Sequence, residues 1–545
     1  LAALLRELKG KCGLSYAEWA RRSLTTASTL HRYCNGLGVP ADYRVVVSIA
    51  EEAGADQRQL AALALLWSRA RGECAGASAP DPGAGADGPV AAAGLPAPPP
   101  GRRWGGGGRP RAVAAARWVA AVVCLLLCAT AGAAGPGPGP GPGGGVGDPA
   151  AGGPGDAWTA YPWAVEGASM GVTVNSNTGR MPAFGVGSVR FWDSGTRWAD
   201  LEPHRGAFDW APLDRLVGGA RRAGLPSLYT LGGTPQWAAP GAPRTLYADG
   251  SRTAPPDDLR EWEHFVQALV SRYRGRIGAY ELWDTATDTH FYSGTPQTLA
   301  LMARGAARIV HRTDPRATVV CPSMGSLGTP GGSSFVRAFA TAGGFEQCDA
   351  VAVKVAERPA RVPPEDITVQ VERFEAALHA LGTGAPVWIT GPDYDVTRAE
   401  PLHGAAAADW AARFFLAMVY ERLNHVRRAY FYDWGGSDLP VVLQPEGRAA
   451  TPAGRAVGRL HAWLAGAYLS GCGHGRAAGL PADAWRCTFT RTAATHGPAV
   501  IAWTEHGTAR VPVPYPGGAA VHLDGTVRHP SGSVRLTGAP VLLTP

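Results

Sequence analysis

Lysine is almost absent from this chain: only Lys9, Lys11 and Lys354 occur in 545 residues, so its positive charge is carried by arginine. That skew has no mechanistic consequence by itself. Also missing is any CxxC or Cys/His spacing of the kind that closes a zinc site, so neither a structural metal nor a cofactor is expected. Charged residues are few, at 17%, against 46% apolar residues, which excludes a disordered chain and leaves material for several cores. The net charge of +7 and the pI near 9.0 suit anionic partners, but the excess is modest and partly local to one apolar segment.

What is present divides the chain into parts. Residues 1–71 are rich in helix formers, and 72–111 turn to Gly, Ala and Pro, a composition that reads as a flexible tether. Residues 112–134 (AVAAARWVAAVVCLLLCATAGAA) are long and apolar enough for a transmembrane helix. Arg102, Arg103, Arg109, Arg111 and Arg117 crowd its N-terminal side, which predicts a single-pass protein of the cell membrane, N-terminus in the cytoplasm and C-terminal bulk outside. A second Gly/Pro linker covers 135–157. From 158 to 452, short β-rich runs alternate with amphipathic helices, and eight predicted strands suggest a (β/α)8 barrel. Residues 453–545 read as a linking helix and a small antiparallel β domain. The expected fold class is therefore multidomain.

Cysteines follow the same division. Cys12, Cys34 and Cys74 precede the apolar segment, Cys124 and Cys128 lie within it, and Cys321, Cys348, Cys472 and Cys487 follow it. Cys472 and Cys487 flank a short loop and are expected to pair. Cys321 falls late on one predicted strand and Cys348 just before the next parallel one, which predicts opposite ends of the sheet and no bond.

Near the N-terminus, Ser15 and Glu18 have capping-box spacing, with Leu14, Ala17 and Ala20 on one face of a short helix. A second helix is expected from about Thr26, with Leu30 and Tyr33 in the core and Thr26, Ser28, Thr29, His31 and Arg32 available for phosphates and base edges. The runs SYAEWARR, STLHRYCNG and VPADY resemble the Cro/repressor-type helix-turn-helix domains of actinobacterial regulators. That resemblance implies DNA as a partner. The plainer alternative is a helical bundle that uses the same fold for protein contacts.

In the larger part, VRFWDSGTRWADLEPHRGAFDWAPLDRLV, LYTLGGTPQWAA and YELWDTATD resemble clan A glycoside hydrolases of the β-xylosidase and cellulase type. The resemblance implies a TIM barrel whose strand ends hold a sugar between aromatic residues and two glutamates. At the acid/base position of the family's Trp-Asn-Glu motif, however, this chain reads Trp283, Asp284 and Thr285, and at the nucleophile position it has Gly391. A threonine hydroxyl is far too weak an acid to protonate a leaving group. Where the family offers His and Tyr on strand six, Lys354 stands instead. The expectation is a pseudoenzyme, with Asp284 and Asp393 as the candidate substitute carboxylates should hydrolysis persist. Arg190, Trp192, Trp237, Trp283, Asp284 and Trp434 are the candidate carbohydrate or cell-wall contacts. The plainer alternative is that these tryptophans cap the barrel core and that Asp284 caps a turn. Together the parts predict a transcription regulator whose outer domain binds carbohydrate, with homo-oligomerisation as a route for the signal. An anchored glycosidase is the alternative.

Overall fold

In the computed structural model the chain forms two units, Leu1–Asp148 and Pro149–Pro545. The described residues are 1–23, 27–36, short runs and single positions between 40 and 66, 157–325, 327–356, 362–392, 400–492 and 497–545.

The first unit contains α1 (Ala2–Lys11), α2 (Tyr16–Arg22) and α3 (Ala27–Cys34). Ser15 starts α2 as its spacing predicts: its Oγ accepts the Glu18 amide at 3.1 Å, satisfying one of the orphan donors of the first turn. Leu5, Leu8, Ala20 and Leu30 close a small core around Trp19, whose indole N–H donates to the Ile49 carbonyl at 2.8 Å.

In the second unit the parallel strands are β2 (Met170–Val174), β3 (Ser188–Phe191), β4 (Ser227–Thr230), β5 (Ala279–Glu281), β6 (Thr318–Val320), β7 (Val351–Val355), β8 (Val387–Pro392) and β9 (Val426–Trp434). They follow β1 (Ala157–Ala164) in the chain. The sheet runs β6-β5-β4-β3-β2-β9-β8-β7 and is closed between its ends by single bridges, Val320 to Ala350 and Met324 to Val353. Every predicted barrel strand is present. Their near-continuous apolar runs suit strands covered by helices on the outside and filled inside. Several of those helices begin at a Thr-Pro pair: Thr295 before Pro296–Thr313, Thr329 before Pro330–Thr341 and Thr451 before Pro452–Leu464. Each threonine accepts an amide of the first turn, and each proline takes a position whose N–H has no helical partner.

Alternation along the strands assigns one set of side chains to the lumen. Its lower layer is apolar, with Leu228, Ala279, Val320, Ala352, Trp388 and Tyr430. Gly171 makes room for the Tyr430 ring, which an added Cβ would meet at 2.5 Å. The layer above is polar.

Strands β10 (Tyr468–His474), β11 (Ala484–Arg491), β12 (Ala499–Thr504), β14 (Ala519–His522), β15 (Val527–Arg528) and β17 (Val541–Thr544) form an antiparallel sheet with β1, in the order β1-β10-β11-β12-β17-β14-β15, while β13 (Ala509–Pro512) and β16 (Ser533–Leu536) pair as a separate two-stranded sheet. The segment that leads into the barrel is thus an edge strand of the C-terminal sheet. A buried ion pair ties sheet to barrel: Arg413 donates to Glu365 through Nε (2.8 Å) and Nη2, and the Trp503 indole donates to the same carboxylate at 2.6 Å.

Two expectations need correction. Cys321 and Cys348 are bonded, with Cα atoms 5.4 Å apart. The end of β6 pairs with the start of β7, so Cys321 N–H donates to Ala350 O at 2.8 Å. Strands in a barrel are sheared, and shear brings the late end of one beside the early end of the next. Cys472 and Cys487 are bonded as expected, as directly opposed residues of β10 and β11. The single-pass membrane placement is also corrected: among the described residues no helix is long and apolar enough to cross a membrane. Apolar length is only half of what a span requires: the segment must also be helical, so that its backbone groups are satisfied internally. The segment 112–134 that carried the expectation lies outside the described residues.

Candidate functional site

The polar layer of the lumen is built from residues one step above the apolar one. Arg190 on β3 donates from Nε to Glu281 Oε2 on β5 at 2.7 Å and from Nη2 to Asp284 Oδ1 at 2.5 Å. Glu281 also accepts the hydroxyls of Thr230 on β4 (2.7 Å) and Thr390 on β8 (2.8 Å). Lys354 on β7 places Nζ 2.6 Å from Asp284 Oδ1 and donates to Thr390 O at 2.8 Å. Two cations and two carboxylates thus neutralise one another out of contact with water, and all four residues are buried. Burial alone would raise the pKa of Asp284, but Lys354 and Arg190 outweigh it and hold the carboxyl below its usual range. For Arg190, burial lowers the pKa, and Glu281 and Asp284 raise it further than burial depresses it.

The two positions where the sequence lacks glutamate sit in the same place. Thr285 has φ +46°; its N–H donates to Ser323 Oγ at 2.8 Å and its hydroxyl to Asp284 Oδ2 at 3.0 Å. Gly391 has φ +127°, and a Cβ there would lie 3.5 Å from Lys354 Nζ. The lysine ammonium therefore stands in van der Waals contact with the point where a side chain from the seventh barrel strand would begin. Asp284, ionised and clasped by two cations, is unsuited to donating a proton. Asp393 lies outside the described residues.

Beside this plug is a less neutral cluster. Asp193, just past β3, accepts from Tyr432 Oη at 2.7 Å and Arg197 Nη1 at 3.2 Å. Asp433 accepts from Asn175 Nδ2 at 2.8 Å and the Gly436 amide at 3.3 Å. Burial pushes the Asp433 carboxyl up to about 7; Asn175 lowers it in part and Asp193 raises it again. Asp193 is raised by burial too, against the opposing pull of Arg197 and Tyr432.

The predicted tryptophans are placed at the strand ends but turned inward. Trp192, Trp283 and Trp434 are 4%, 1% and 1% exposed. Their indole N–H groups donate to Tyr247 Oη, Phe291 O and Gln444 Oε1. Trp237 is partly buried, donating to Glu202 O and standing edge-on to Trp198. Tyr247, stacked over the Arg197 guanidinium at 3.6 Å, covers Trp192. Sequence reasoning missed Glu281, Asp193, Asn175 and Arg197. For Glu281 there was a signal, since a carboxylate inside a buried parallel strand requires a partner. No group of three or more His, Cys, Asp or Glu that could hold a metal occurs among the described residues. A cavity of about 490 Å³ lined by Gln297, Ser334, Arg337 and Thr341 lies on the outer helices.

In the first unit, His31 and Arg32 are exposed on α3, and His31 packs edge-on to Tyr16 at 5.2 Å and meets Asn35 Nδ2 at 3.1 Å. Ser28 and Thr29 lie on the same helix; Thr26 lies outside the described residues.

Residues 1–63 match the family model of a helix-turn-helix domain. Among solved structures, a family 39 glycoside hydrolase from Bacteroides cellulosilyticus WH2 aligns over 69% of this chain and 80% of its own, with 17% identity and a TM-score of 0.52. A family 39 β-xylosidase from Caulobacter crescentus aligns over 71% of this chain and 97% of its own, with 14% identity and a TM-score of 0.50. No curated protein sequence matches. The chain thus joins a helix-turn-helix domain to a barrel of glycoside-hydrolase-like fold.

Proposed function

We propose that this chain is a regulator in which a catalytically inert glycosidase-like domain binds a carbohydrate and the helix-turn-helix domain binds DNA through α3. The observation that carries the reading is the Lys354–Asp284–Arg190–Glu281 network, a buried cluster of paired charges beside Thr285 and Gly391. Retaining hydrolysis needs one carboxyl ready to give up a proton and a second free to attack, about 5 Å away. Neither condition is met by an aspartate paired to two cations. Sugar contacts fall instead to the less buried rim: Asn175, Asp193, Tyr247 and Tyr432, and to the half-buried Trp237. On the DNA side, Ser28, Thr29, His31 and Arg32 are the proposed contacts, and ligand-dependent self-association is the proposed route of the signal, since it requires only proximity.

One observation favours a second reading, hydrolysis by substitute carboxylates. Asp433, with its pKa near 7, is suited to proton donation, and Asp193 is close enough to raise that pKa. A panel of aryl β-glycosides and wall oligosaccharides separates the two. Binding without turnover is expected of the full chain; turnover abolished by Asp433→Asn would replace the first reading with the second.

A further inference from the structure

The barrel is a continuous ladder except between β6 and β7, where the sheet's two ends meet through single bridges. At and above Cys321 three backbone hydrogen bonds cross that seam, Cys321 N–H to Ala350 O (2.8 Å), Met324 N–H to Ala352 O (3.1 Å) and Lys354 N–H to Met324 O (2.7 Å), and below it Asp349 N–H (2.8 Å) and Ala350 N–H (3.2 Å) donate to Val319 O. The only covalent link across it among the described residues is Cys321–Cys348. The segment following Cys321 also reaches the mouth from the other side. Ser323 N–H donates to Trp283 O at 2.9 Å, Ala286 N–H to Ser323 O at 2.8 Å, and Ser323 Oγ accepts the Thr285 amide. Residues 321–324 are thus the splint between Lys354 and the Asp284–Thr285 turn, the two sides of the ion-pair plug.

We propose that the Cys321–Cys348 disulfide is a redox-controlled clamp on this seam, and that its reduction loosens residues 321–324 and with them the Lys354–Asp284 plug of the barrel mouth. Chemistry and access both favour this bond. Cys348 is partly exposed, whereas Cys321, Cys472 and Cys487 are buried. A thiolate from a dithiol therefore attacks Cys348 Sγ, and Cys321 leaves as the thiolate and takes up a proton. The second thiol of the reductant then displaces Cys348, so that one disulfide is reduced, one dithiol is oxidised, and two protein thiols remain. Disulfides are rare in the cytosol and nucleus, where DNA-binding modules work, so a chain holding both carries a bond sensitive to its surroundings. The inference stands on the barrel seam and does not depend on carbohydrate binding.

The test uses the full chain, oxidised and after graded treatment with dithiothreitol. Thiol labelling with peptide mass analysis follows each disulfide, and hydrogen exchange follows the amides of Cys321, Met324 and Lys354. The expected result is labelling at Cys321 and Cys348 before Cys472 and Cys487, with seam exchange faster by about tenfold or more while β11 and β12 keep their protection. The Cys321→Ser/Cys348→Ser variant should show the fast exchange without reductant; should it fail to fold, the wild-type titration decides alone. Unchanged seam protection once Cys321–Cys348 is reduced overturns the proposal. So does reduction of both disulfides together only on global unfolding, or a native chain with Cys321 and Cys348 unbonded.

Discussion

Replacing Lys354 with methionine is the most direct probe of the plug. Methionine fills similar volume but leaves Asp284, 4% exposed in its side chain, with Arg190 as its one remaining cation. Removing one partner of a buried pair costs about 3–5 kcal/mol. Because Arg190 Nη2 stays 2.5 Å from the carboxylate, the lower end applies, about 3 kcal/mol. A unit of this size has an unfolding entropy that converts that into a Tm drop of about 4 °C. The pH dependence is the sharper signature. The folded pKa of Asp284 is depressed, so its stabilising contribution is present above the ordinary carboxylate range and is lost as pH falls through the lowered value. The gap between Lys354→Met and the parent should therefore be widest near neutrality and narrow below about pH 4. The Lys354→Met/Asp284→Asn double variant should recover part of the loss, because no unpaired charge remains. Calorimetry across pH measures all three. A drop under about 1 °C, or a gap independent of pH, refutes the account of the plug.

Asp433→Asn tests the raised carboxyl: with a folded pKa of about 7, the parent should lose stability as pH rises from about 4 to about 7, at up to about 1.4 kcal/mol per pH unit. The variant should lack that decline and be the more stable protein near pH 8, as thermal melts across pH will read. Installing both glutamates, Thr285→Glu with Gly391→Glu, should leave aryl glycoside hydrolysis at background, since both residues sit at positive φ and Lys354 Nζ lies 3.5 Å from the new Cβ. A gain of about a hundredfold, or about 2.7 kcal/mol in the barrier, would show that the backbone still permits the chemistry. Arg32→Ala should weaken retention on duplex DNA and reduce the salt slope by about one, measured by anisotropy at several salt concentrations; an unchanged slope removes Arg32 from the DNA contacts.

Much of this architecture was legible because it rests on local patterns. Eight β-rich runs separated by helices specify a parallel barrel through periodicity and connection rules, and Ser15 with Glu18 marks a helix start through one short hydrogen bond. The absence of carboxylates at Thr285 and Gly391 was visible from motif position alone. What fills the gap was not. Lys354 and Glu281 are 73 residues apart, a separation read from their numbers, and they join one network only because alternation turns both into the same lumen. The tryptophans show the same limit: the sequence places them at strand ends, but whether an indole faces a ligand or the core depends on loops such as the one carrying Tyr247. Cys321 and Cys348 make the contrast plainest. By itself the sequence determined which residues form strands and which residue types stand at the motif positions, because those follow from neighbours along the chain. The stagger between strands, which brings the end of β6 beside the start of β7, is a property of closing the sheet, and only the tertiary structure decided it.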